Sequence, residues 1–133
     1  MARVVALTRD LLFGSRVQGA IVAAGHELEL IGEVPRLRAR LAAPSDPAGE
    51  TLPAVDVLVV DLTDADLDGA AVVKTLHDAG ELRGARTLAF YSHVDAAARE
   101  RAERAGFDLV VARSRMAREG PELVARLVSA ARA

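Results

Sequence analysis

The run Val55-Asp56-Val57-Leu58-Val59-Val60-Asp61 limits the fold more than any other stretch. It is nearly continuous, β-branched and too short for a stable helix, which fits a strand covered on both faces. Short apolar runs at Val4–Leu7, Thr87–Tyr91 and Leu109–Ala112 read the same way. His26–Ile31 alternates, Leu28 and Leu30 against Glu27 and Glu29, as an edge strand with one wetter face does. Helical segments lie between these strands. Phe13, Val17, Ala20, Ile21 and Ala24 recur at helical spacing before Gly25. Val34–Leu41 is a short basic helix with Pro35 in its first turn. Asp66–Ala79 runs helically to Gly80, and Asp95–Ala105 to Gly106. Pro121–Ala131 starts with proline at N1 and sets Leu123, Val124, Leu127, Val128 and Ala131 on one stripe. Ala42–Pro53, with Pro44, Pro47 and Gly49, is a long loop.

Strands alternating with helices imply a parallel sheet covered on both faces. The expected fold is α/β: a flavodoxin-like three-layer sandwich with five parallel strands in order 2-1-3-4-5 and five helices. Residues 1–133 read as one domain, and 51% hydrophobic residues supply its core. The chain has no cysteine, which excludes a disulfide scaffold, a thiolate metal site and a cysteine nucleophile. A net charge of −2, from 17 basic and 19 acidic residues, gives no footprint for nucleic acid or for a membrane surface. Phe13, Phe90, Phe107 and Tyr91 are the only aromatics, too few and too scattered for a base-stacking platform. No apolar run approaches the roughly 20 residues that span a bilayer. The N-terminus lacks the pattern of a signal peptide, so the expected location is cytoplasmic.

Ligands of such folds sit at the carboxyl ends of the strands. Those ends place Thr8, Arg9 and Asp10, then Asp61 to Asp68, then Tyr91, Ser92 and His93, then Arg113 and Ser114, along one edge. Asp61 closes the most apolar strand, and Asp64, Asp66 and Asp68 follow before Gly69. By spacing alone this is either a phosphoacceptor or cation site, or an acidic loop in which Asp66 caps the next helix.

At this point the chain resembles response-regulator receiver domains. Val55–Leu62 is similar to the receiver's third strand with its terminal phosphoacceptor aspartate, here Asp61. Asp68-Gly69 falls where receivers carry an Asp-Gly before the third helix. Gly25-His26-Glu27 and Ala105-Gly106-Phe107-Asp108 resemble the receiver's turns into strands two and five. The resemblance spans Arg3 to Val128. It implies two-component signalling, protein partners and a homodimer through helix four, strand five and helix five. Arg99, Glu100, Arg101, Glu103 and Arg104 supply mixed charge for the rim of such a dimer. With helix five as its last element, the sequence is expected to carry no DNA-binding output domain.

The chemical residues depart from the receiver pattern. Receivers hold Mg²⁺ with an acidic pair after strand one, and here those positions are Thr8 and Arg9, with only Asp10 acidic beside them. The hydroxyl position after strand four falls on Tyr91, with Ser92 next to it. The lysine after strand five falls on Arg113, and the proline after it on Ser114. A guanidinium cannot ligate a cation. Arg9 is therefore expected to pair with Asp61, with Arg113 approaching from the other side. The reading is a stand-alone pseudo-receiver that acts by protein–protein interaction, catalyses nothing and needs neither metal nor cofactor. Two alternatives stay open. One is a working single-domain response regulator that phosphorylates Asp61, with Asp10 and Asp64 or Asp66 improvising a metal site. The other is a small flavodoxin-like module that binds an anion between Arg9 and Arg113.

His26, His77 and His93 share no ligand spacing, and neither a P-loop nor a Gly-x-Ser-x-Gly elbow is present. Arg113 to Gly120, with three arginines and Met116, reads either as a docking surface or as a solvated connector whose Met116 enters the core.

Overall fold

The structure is a computed structural model and describes residues 1–42, 48–51, 54–92 and 95–132. Five strands, β1 (Arg3–Leu7), β2 (Glu27–Ile31), β3 (Val57–Asp61), β4 (Arg86–Tyr91) and β5 (Leu109–Ala112), alternate with five helices. The helices are α1 (Leu11–Ala23), α2 (Val34–Ala42), α3 (Gly69–Asp78), α4 (Ala96–Ala105) and α5 (Arg113–Arg132). All strand pairs are parallel, in the order β2-β1-β3-β4-β5. This is the expected flavodoxin-like, receiver-like order, with the alternating run at the β2 edge.

Strand side chains alternate between two apolar layers. Val4, Ala6, Val57, Val59, Leu88 and Phe90 face α1 and α5, meeting Phe13, Val17, Ile21, Met116, Leu123 and Val124. Val5, Leu7, Leu58 and Val60 face α2 and α3, meeting Leu37, Leu41, Val73 and Leu76. Both faces of β3 are buried, which is why its sequence is an almost unbroken apolar run.

Two helix boundaries differ from the sequence reading. α3 starts at Gly69 and is capped by Asp68, not Asp66. Asp68 takes a left-handed conformation, φ 44°, which bends the chain sharply into the helix. Gly69 follows because a Cβ there would collide with Val60 Cγ1, so α3 meets β3 backbone to side chain with no room for alanine. α5 starts at Arg113, and Pro121 lies inside it. The supposed connector is thus the first two turns of the helix. Met116, only 1% exposed, anchors those turns in the core and outweighs the helix-start signal of the proline.

Candidate functional site

The register of β1 on β3 pairs Leu7 with Val60, so the next residues, Thr8 and Asp61, lie side by side at the carboxyl edge. Both are buried, at 4% and 1% exposure. Thr8 Oγ1 donates to Asp61 Oδ2 at 2.7 Å. The other oxygen, Oδ1, accepts from the Thr63 backbone N–H at 2.7 Å and from its hydroxyl at 2.5 Å. Thr8 Oγ1 in turn accepts from the Asp10 N–H at 3.1 Å. Asp61 is thus clasped by two threonines, which answers the desolvation of a buried carboxylate with donors to both oxygens. Thr63 went unnoticed in the sequence. Its signal is the Asp-x-Thr spacing, in which a carboxylate accepts from the N–H two residues on.

The expected Arg9–Asp61 pair is not formed. Side chains alternate along an extended chain, so Arg9 turns away from the side on which Thr8 meets Asp61. It grips Asp64 instead, Nε and Nη2 each at 2.6 Å from one oxygen, with Asp66 at 4.0 Å. Asp64 Oδ1 also accepts from the N–H groups of Asp66 and Leu67, at 3.1 and 3.3 Å, and so holds the loop's turn. The Arg9 hydrogen bond and charge hold the Asp64 carboxyl below its ordinary pKa, and the same contact raises that of Arg9.

Arg113 does not approach Asp61 either. Its Nη2 donates to Asp10 Oδ2 at 3.0 Å, and its guanidinium lies 4.3 Å from the centre of the Phe13 ring. Asp10 Oδ1 meanwhile caps α1 by accepting from the Phe13 N–H at 3.0 Å. Tyr91 and Ser92 are half-buried at the end of β4. Ser92 contributes its carbonyl, which accepts from the Asp95 N–H at 2.9 Å. Tyr91 lies by Arg99, whose pKa is raised first by its bond to Glu103 and then by Tyr91. His93 lies outside the described residues. The edge therefore gathers Thr8, Asp10, Asp61 and Thr63 into one network, and Arg9 with Asp64 into another.

These donors do not fit a magnesium ion, which wants several free, hard oxygens around one point. Both Asp61 oxygens are committed to threonine, Asp10 to a helix cap and an arginine, and Asp64 to Arg9 and two backbone groups. Among the described residues no three His, Asp or Glu side chains come together as a metal site. A cavity beside Asp64 is small, about 90 Å³, lined by Leu62, Asp64, Asp68, Gly69 and Arg101 among others.

No protein-family model matches the sequence, and no curated protein matches it. Solved structures do match. A putative response regulator from Chloroflexus aurantiacus superposes with a TM-score of 0.80 at 14% identity, over 96% of this chain and 98% of that one. The receiver domain of the response regulator TorR gives 0.79 at 16% identity, over 98% of both chains. The fold is that of a response-regulator receiver domain. A further receiver, from a sensor histidine kinase of Pseudomonas aeruginosa, gives 0.76 at 13% identity, over 96% of this chain and 98% of that one. That receiver was solved with a magnesium ion coordinated in its active-site cleft. At these identities the likeness is one of fold.

Proposed function

We propose that this chain is a pseudo-receiver: a receiver fold that works in signalling or regulation through protein–protein contacts, without magnesium-dependent phosphotransfer and without catalysing a reaction. The clasp on Asp61 carries the reading. A phosphoacceptor must present a carboxylate oxygen to the donor in line, with a cation offsetting charge on the transferring group. Here that carboxylate is 1% exposed and both oxygens are bonded to threonine. The cation that stands at the metal position, Arg9, is spent on Asp64.

A small-ligand role has less support. Arg9 and Arg113 each face a separate carboxylate and do not converge on one anion site. The 90 Å³ cavity is well below the roughly 300 Å³ of an ordinary ligand pocket.

The test is incubation with acetyl phosphate and Mg²⁺, read by intact mass. The protein should stay unmodified, and millimolar Mg²⁺ should leave its Tm unchanged, since a ligand that binds the native state raises Tm. A phosphoryl adduct that disappears in Asp61→Asn would make this a working phosphoacceptor.

A further inference from the structure

All of the exposed large hydrophobic side chains beyond Met1, among the described residues, are on α1: Leu11 at 71%, Leu12 at 89% and Val22 at 52% exposure. The helix carries one charge, Arg16, and has no acidic residue in its first turn and no basic one in its last. With only Ser15 and Arg16 as exposed polar residues, the outer face of α1 is more apolar than a solvent-facing helix surface usually is. α4 is the contrast. There Arg99 pairs with Glu103, Arg104 with Glu100, and Arg101 with Asp68, so its outer charges find partners within this chain.

Gly19 adds an independent observation. Glycine inside a helix costs stability relative to alanine. The mid-helix Gly14 has an internal reason, since a Cβ there would meet Leu30 and Thr8 at 3.1 and 3.2 Å. At Gly19 nothing lies within 4 Å of where a Cβ would stand. Gly19 therefore has no packing reason within this chain, and it faces open space on the outer side of the helix.

We propose that a second copy of this chain covers α1, the two helices packing antiparallel about a twofold axis near Val17. Helical spacing places Leu11 and Val22 on one flank of the outer face and Leu12 and Ala23 on the other, with Ser15 and Gly19 between them. Antiparallel pairing then sets Leu11 on Val22 of the second copy and Leu12 on its Ala23. The small residues Ser15 and Gly19 cross at the waist, where two backbones come closest. The same orientation brings each positive N-terminal end against the other helix's negative C-terminal end, whereas a parallel pair would set like ends together.

The area points to a weak, reversible dimer. α1 has 13 residues and is about 20 Å long. Alone it falls short of the roughly 800 Å² per partner of a standard interface. Arg16 imprints a sign on the association. Lying one residue from the twofold, it comes beside its own copy, so the dimer should tighten as salt screens the two guanidinium groups.

Sedimentation equilibrium of the full chain over a wide concentration range tests this, whether or not Asp61 accepts a phosphoryl group. The expected result is a concentration-dependent dimer. Leu12→Glu and Gly19→Leu should each weaken it about tenfold or more, while added salt and Arg16→Gln tighten it. Both weakening variants should fold, since Leu12 is exposed, a glutamate suits the first turn of a helix, and leucine is the better helix former at Gly19. A monomer at every concentration overturns the proposal. So does a dimer that Leu12→Glu and Gly19→Leu leave unchanged, which would place the contact on another face.

Discussion

Thr8→Val keeps the shape of the side chain and removes the hydroxyl that Asp61 Oδ2 accepts from at 2.7 Å. Left short of a donor, the buried carboxylate should cost about 1–3 kcal/mol, read from urea denaturation. Thr8→Val and Asp61→Asn should couple in a double-mutant cycle, whereas Arg9→Gln and Asp61→Asn should add to within about 0.5 kcal/mol. Coupling in the second cycle would mean that Arg9 does act on Asp61. Asp64 is a carboxyl held below its ordinary value of 3.8 by the bond from Arg9. The stabilisation from this surface pair is therefore complete above the unfolded pKa and lost as pH falls through the lower folded one. The stability gap between wild type and Arg9→Gln should be present at pH 6 and close as the pH drops below about 3.8. A gap independent of pH would show that packing of the arginine stem, not the ion pair, is what stabilises. The sequence placed all of these residues on one edge correctly. It could not say which arginine met which carboxylate, because that depends on strand register and on which side a residue just past a strand turns to.

At the scale of elements, α5 separates local signals from tertiary ones. Proline at the first helical position is a sound rule, and it placed the helix start at Pro121. The helix instead begins at Arg113, since Met116 is buried and Arg113 is pinned to Asp10 and Phe13. Met116→Ala should cost about 2–5 kcal/mol. It should also speed amide exchange over residues 113–119 more than over 123–130, where Leu123 and Val124 still anchor the helix. Uniform exchange along α5 would show that the first turns need no anchor. The ends that glycine sets were plain in the sequence: Gly25 and Gly106 take φ values of 91° and 92°, and the helices stop there. α3 was misread by one short segment, because its acidic approach holds several candidate caps and only Asp68 has a glycine behind it that lets the helix close on β3.

Across the whole molecule, layer assignment follows from hydrophobic periodicity, a property of the sequence, whereas the strand order follows from the alternation of strands and helices and the order common to such folds. Val57–Asp61 is buried on both faces and Glu27–Ile31 is not, and each reads so in its residues. The order has a consequence for how the chain is assembled. β1 pairs with β2 through a single crossover, but its other neighbour, β3, comes from far along the sequence, and the Thr8–Asp61 bond joins residues 53 apart. A chain growing from its N-terminus completes β1, α1 and β2 well before β3 exists. During that interval Val4, Val5 and Ala6 present an open strand edge with apolar side chains on both faces, and α1 shows its leucines as well. The half-built unit exposes surface that β3 later covers, so a fragment ending after β2 should associate at lower concentration than the full chain, read by sedimentation.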